Sequence, residues 1–233
     1  MDRKQSVFDF IEQLIRQLAI CGVIEDASKQ TGEIKEILKL AGDNSKFSRH
    51  IKTIERDIKD LEELLEIKFI KGKKEKEFQF PEIKKEDNAK YKAFVQFYLA
   101  LLNLHSAMNK EELERSIETL VKNLDFPLKI LSTLNIAIYG NRPVKIRYYS
   151  TTLEKEYEFE VHPYALTHRS KKWFLVAYSP YNEEFRHYQL HFIKDVEIDT
   201  DDRNIFEPDK DFNLDSFYRN AFKVFRNDSE TRL

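Results

Sequence analysis

Apolar positions in the first third of the chain recur at helical spacing. Val7, Phe10, Ile11, Leu14, Ile15 and Leu18 fall on one face and predict a helix over about residues 7–20. Thr31 reads as the N-cap of a short second helix carrying Ile34, Ile37, Leu38 and Ala41, with Gly42 as its stop. Asp43 to Ser45 read as a polar turn. A third helix follows, in which Ile51, Ile54, Ile58, Leu61 and Leu65 share a face. Two short β-like segments, Ile67 to Ile70 and Glu77 to Phe80, then flank a lysine-rich turn around Gly72.

Beyond Pro81 the pattern changes twice. Pro81 to Asn88 is a charged connector and the best candidate for a domain boundary. Helices are predicted over 89–105 and 110–123, the first apolar around most of its circumference and therefore suited to burial on more than one side. A shorter helix runs from Pro127 to about Tyr139, with proline well placed at its start. From Pro143 the period becomes two. Val144, Ile146 and Tyr148 alternate with Lys145, Arg147 and Tyr149, and Tyr157, Phe159 and Val161 alternate with Glu158, Glu160 and His162. Trp173 to Tyr178, Phe185 to Leu190 and Val196 to Ile198 complete a set of short strands that suggests a small antiparallel barrel. Residues 209–233 read as a helix and the start of a strand at Lys223 to Arg226. In the amino-terminal part, three helices and then a hairpin is the element order of a winged helix-turn-helix.

Composition narrows the function. Of 233 residues, 34% are charged and the formal net charge is −2, so a non-specific polycationic coat for nucleic acid is excluded and any such binding must come from a local patch. The single cysteine, Cys21, rules out an internal disulfide and fits a reducing, cytoplasmic setting. No apolar run is long enough to cross a bilayer: Phe94 to Leu104 is short and broken by Gln96 and Asn103, and no membrane partner is expected. The histidines show no metal-ligand spacing, the five glycines build no phosphate loop, and Cys21 lies away from any obvious base. Neither a metal, a cofactor nor an enzymatic activity is expected.

The third helix carries the strongest local chemistry. Opposite its apolar stripe stand Arg49, Lys52, Thr53, Arg56 and Lys59, with Ser48 and His50 at its start, and the following turn adds Lys71, Lys73, Lys74 and Lys76. Long cations reach phosphates and guanine edges, and small hydroxyls allow close approach in a major groove. Against this, Glu55, Asp57, Asp60, Glu62 and Glu63 are interleaved with the cations, so spacing alone leaves open a solvated helix face.

Thr53-Ile54-Glu55-Arg56-Asp57-Ile58 followed by Leu61 resembles the recognition helix of helix-turn-helix regulators that carry WYL domains. The second half is similar to the WYL domain itself, in order and spacing: Val144-Lys145-Ile146-Arg147-Tyr148 with Ser150, then Val161-His162-Pro163-Tyr164-Ala165-Leu166, then Lys172-Trp173-Phe174-Leu175-Val176-Ala177-Tyr178. Trp173-Phe174-Leu175 stands where that family has Trp-Tyr-Leu. The resemblance covers about residues 5 to 220. It implies a ligand site using arginines for an anion, with Tyr148, Ser150, His168, Arg169, Lys171, Arg186, Tyr188, Gln189 and His191 as candidate contacts. For Tyr148 and Tyr188 strand packing is the commoner role, and a turn holding His168, Arg169 and Lys171 is ordinarily solvated. The chain departs from the family where Gln189 and Phe192 stand in place of arginine and His191 in place of aspartate, leaving Arg186 as the retained cation.

The expected fold is α+β: a winged helix-turn-helix over 1–82, a helical linker over 83–140, a small SH3/Sm-like antiparallel β-barrel (the WYL domain) over 141–203, and an extension over 204–233 that starts a truncated carboxy-terminal (WCX-like) domain. The expected function is that of a bacterial, cytoplasmic, DNA-binding transcriptional regulator, acting as a homodimer on double-stranded DNA and sensing a nucleic-acid strand or nucleotide. Two alternatives stand beside it. One is a single-stranded nucleic-acid-binding module in defence or repair, and the other is an interaction scaffold that does not bind DNA.

Overall fold

The computed structural model describes residues 7–25, 27–42, 47, 49–81, 127–169, 172–214 and 216–218. The elements are α1 (Val7–Val23), β1 (Lys29–Gln30), α2 (Thr31–Lys39), α3 (Ile51–Leu65), β2 (Ile70–Lys71) and β3 (Glu77–Gln79), then α4 (Leu128–Gly140), β4 (Val144–Ser150), β5 (Lys155–Arg169), β6 (Lys172–Ser179), β7 (Glu184–Gln189) and β8 (Ile193–Ile198). The two helices expected over 89–105 and 110–123, nearly all of the charged connector and the tail beyond 218 lie outside the described residues.

The amino-terminal helices form where periodicity placed them. Leu14, Ile15 and Leu18 of α1, Ile34 and Leu38 of α2, and Ile54, Ile58, Leu61 and Leu65 of α3 turn into one core. The beginning of α2 differs from expectation. Gln30 is the cap and Thr31 is the first helical residue, buried rather than capping. The cause is β1: the Thr31 N–H donates to the Lys76 carbonyl at 3.1 Å, and the Gln30 N–H donates to the Glu33 carboxylate at 2.7 Å. A two-residue strand leaves no periodicity in the sequence. It pairs antiparallel with β3, which pairs in turn with β2, giving the order β1-β3-β2. The first strand of the hairpin is shorter than expected and starts only at Ile70, because Glu66 ends α3 in the left-handed region (φ 53°) and Ile67 and Phe69 are buried as core.

The second sheet is antiparallel with order β7-β6-β5-β4-β8. β5 serves both halves: Lys155 to Val161 pair with β4 and His162 to Arg169 with β6, and the register shifts between Pro163 and Ala165 where the strand bends. The expected closed barrel is not found: among the described residues no backbone pairing joins β7 to β8. Their short link, the single 3₁₀ turn Leu190–Phe192 with Leu190 fully buried, sends consecutive strands to opposite edges. Side chains fill the gap instead, with the Tyr188 ring 5.6 Å from Tyr148 and 5.5 Å from Phe159.

Helix α4 lies between the two parts. It packs on α1 along one side and on β5 and β8 along another, and Leu128, Ile130, Leu131, Leu134, Ile136 and Ala137 are all buried. Burial on two sides explains why its sequence is apolar nearly all round. Ser132 Oγ donates to the Leu18 carbonyl at 3.4 Å, and the Lys129 N–H donates to Glu25 at 2.8 Å. Phe206, Phe212, Phe217 and Tyr218 lie against one face of β5 and β7.

Candidate nucleic-acid interface and ligand face

On α3, the buried residues Ile54, Ile58, Leu61, Leu65 and Asp57 mark the inward side. Lys52, Arg56 and Lys59, spaced i, i+4, i+7, are exposed on the opposite side, and Arg49 precedes them at partial exposure. Thr53 is half-buried. His50 caps the helix, its Nδ1 accepting the Lys52 N–H at 3.3 Å. Ser48 lies outside the described residues.

The acidic residues interleaved with these cations point elsewhere. Asp57 is fully buried and takes a forked pair of bonds from Arg16 of α1, 2.5 Å from Nε and 3.1 Å from the second nitrogen. Burial pushes its carboxyl up, and the Arg16 fork pulls it back. Asp60 accepts from Gln13 of α1 at 3.0 Å. Glu55 meets Lys76 at 2.8 Å, and Glu62 accepts the Phe69 N–H at 3.0 Å with Lys68 at 3.6 Å. Glu63 shares the cationic side at its carboxy-terminal end, 3.8 Å from Lys59, and Glu55 borders it between Lys52 and Lys59 with Lys76 as its partner.

The turn between β2 and β3 presents exposed Lys71, Lys73 and Lys74. Glu77 organises it, accepting from the Ser28 hydroxyl at 2.7 Å and from the Lys74 N–H at 2.9 Å. Those bonds, the Lys74 N–H first, hold its carboxyl below the usual range. The Glu77 side chain folds over Gly72, where a Cβ would lie 2.1 Å from its carboxylate and would push that side chain away.

In the second sheet the candidate ligand residues separate. Arg186 and Tyr188 are opposite Ala177 and Leu175, while Arg169 is opposite Lys172, so Arg169 is on the other face of the sheet. Tyr188 is buried at 7% exposure, with Tyr148 edge-on to it and Phe192 edge-on to Tyr148 in turn. Burial pushes the Tyr148 hydroxyl up, against the Gln189 N–H that donates to it. Phe192, standing where arginine was expected, adds a ring to this cluster. Ser150 Oγ accepts the Leu153 N–H at 3.3 Å and closes the β4–β5 turn. Arg186 is exposed and bonds Glu184 at 2.6 Å, and His191 is exposed on the 3₁₀ turn. The backbone of His168 pairs with Trp173, its side chain lying outside the described residues together with Lys171. Trp173 and Leu175 are core.

Sequence reasoning missed the outer face. Arg169 lies over the Tyr218 ring at 3.8 Å, and the Tyr218 hydroxyl is 2.7 Å from that of Thr167. Phe206 stacks on His162 at 4.6 Å and on Tyr164 at 5.5 Å, while Phe212 packs on Phe185 at 4.7 Å. Burial lowers His162 and so favours the neutral imidazole in that stack. The signal available in the sequence was the aromatic spacing Phe206, Phe212, Phe217, Tyr218. Among the described residues there is no group of three or more His, Cys, Asp or Glu placed to hold a metal ion, and no helix long and apolar enough to cross a membrane. Cys21 is buried, which pushes its thiol far up.

Comparison with known proteins assigns the second part. Residues 129–198, from α4 through β8, match the family described as WYL domain, and the chain carries such a domain. Among solved structures, Proteasome accessory factor B/C (PafBC) of Arthrobacter aurescens is similar at 18% identity with a TM-score of 0.37. The alignment covers 89% of this chain and 34% of that one, so the chain spans about a third of that protein's length. No curated protein matches.

Proposed function

We propose that this protein is a DNA-binding transcriptional regulator whose WYL domain senses a ligand. The observation that carries the reading is the sorting of charge on α3. Lys52, Arg56 and Lys59 with Arg49 form one outward side, while Asp57, Asp60, Glu55 and Glu62 are tied to Arg16, Gln13, Lys76 and the Phe69 amide. That removes the main argument from sequence against a groove-binding helix. The order α1-β1-α2-α3-β2-β3 with sheet order β1-β3-β2 supports a winged helix-turn-helix, in which α3 enters the major groove and the lysine turn contacts flanking phosphates. The protein acts in the cytoplasm without catalysis. It pairs as a homodimer on a two-fold site, and its ligand is a nucleic-acid strand or nucleotide.

Fluorescence anisotropy tests this, with the duplex upstream of its own gene, a scrambled duplex and a single strand, each at two salt concentrations. Tight binding to the upstream duplex that weakens steeply with salt is expected, since each phosphate neutralised releases counterions. Equal binding to both duplexes overturns the regulator reading, and preference for the single strand moves the function to the WYL sheet.

A further inference from the structure

The end of α2 is joined to the WYL sheet by a buried cation. Arg142, 6% exposed, sits between the end of α4 and the start of β4. Its Nε donates to the carbonyl of Leu40, the residue that ends α2, at 2.9 Å. One terminal nitrogen donates to the Asp199 carbonyl just beyond β8 at 3.2 Å, and the other meets the Asp202 carboxylate. One guanidinium thus joins the helix-turn-helix to the ends of two adjacent strands. The fork needs arginine, because a lysine ammonium cannot address three acceptors spread in one plane.

Two neighbouring contacts tighten the joint. At Gly140 a Cβ would lie 1.9 Å from the Leu40 carbonyl oxygen, so the backbones meet without an intervening side chain. Tyr139 packs edge-on against Phe47, fully buried in the segment leading to α3, with ring centroids 5.2 Å apart. At its far end β4 carries Tyr148, where its register with β8 shifts, and Phe192 immediately precedes β8. The strands that end at Arg142 therefore begin at, or lead away from, the aromatic cluster.

We propose that Arg142, with Asp202 and the Asp199 carbonyl, is a positioning residue that sets α3 relative to the WYL sheet and couples the two. This rests on the reading of α3 as the DNA-contacting helix, and it names the route by which the sheet regulates that helix. A shift of β4 against β8 moves the Leu40 carbonyl through the fork, and duplex DNA on α3 acts back on the Asp199–Asn204 turn, since coupling is reciprocal.

Hydrogen exchange on the full chain tests it. Without DNA, Asp202→Ala, a change at an exposed side chain, is expected to speed exchange at residues 201–204 and also, by about threefold to tenfold, at residues 40–42 and 53–54. Asp202→Glu, which restores the carboxylate, is expected to return both segments to wild-type rates. Faster exchange confined to 201–204 overturns the proposal. With the upstream duplex bound, wild type is expected to slow at 199–204, and Arg142→Gln to bind duplex without that slowing. Slowing that persists in Arg142→Gln overturns the proposal. Absence of duplex binding by wild type would instead sink the regulator reading, while the DNA-free comparison still decides the coupling. If Arg142→Gln fails to fold, the Asp202 pair carries the test.

Discussion

The cations of α3 and those of the WYL sheet are the same residue types in opposite situations. On α3, Lys52 and Arg56 are exposed and the neighbouring acids Glu55 and Asp57 are bound to other partners, Lys76 and Arg16. On the sheet, Arg169 lies over Tyr218 and Arg186 holds Glu184, while the interior beside Arg186 is filled by Tyr148, Phe159, Tyr188 and Phe192. What makes a charged side chain available is therefore the destination of its neighbours. A helix can send acid and base to different sides, because successive residues rotate round its axis. A strand offers only two faces, and here one is packed with rings and the other meets Phe206, Phe212, Phe217 and Tyr218.

The largest effect should come from stripping the exposed side. Replacing Arg49, Lys52 and Arg56 together by alanine is expected to lower affinity for the upstream duplex by about a thousandfold and to reduce the salt slope by about two to three. Thermal stability should hardly change, and Arg186→Ala in the same titration should leave duplex affinity unaltered. Unchanged affinity in the triple variant would erase the contrast between the two regions.

Next comes the pair beneath that side. Asp57→Ala leaves Arg16 buried without its carboxylate and is expected to cost about 3–5 kcal/mol in urea unfolding. A loss below about 1 kcal/mol would mean that the Arg16–Asp57 fork does not anchor α3 on α1.

The smallest effect concerns the lysine turn. The Glu77 carboxyl is held below its unfolded value of about 4.3, so its contribution is full above that pH and fades as the pH falls through the lowered value. Amide exchange at Gly72 and Lys74 is expected to be independent of pH-driven opening near neutrality and to show loosening only in acid, as the pH falls below the ordinary carboxylate range. Glu77→Gln is expected to bring that looseness to pH 7. A turn equally protected in Glu77→Gln at pH 7 would show that the carboxylate does not order it.

Much of this was legible in the residues. The stripe Ile51, Ile54, Ile58, Leu61 and Leu65 specified α3, and the alternation from Val144 specified β4, because a helix or strand must repeat its burial at its own period. The cationic side follows from the same period. The two-residue β1 was too short to repeat anything, so the cap of α2 was misplaced by one residue. The WYL sheet was expected to close, and does not among the described residues, because strand pairing between edges depends on how a three-residue link turns.

What the sequence by itself determined is thus local: which residues share a face and which segments carry charge. Only the tertiary structure decided the partners, since Arg16 meets Asp57 across 41 positions, Arg142 meets Leu40 across 102 and Tyr218 meets Thr167 across 51. Such pairs leave no periodic trace. They arise when hydrophobic burial brings distant polar groups together and desolvation then requires each to find a partner.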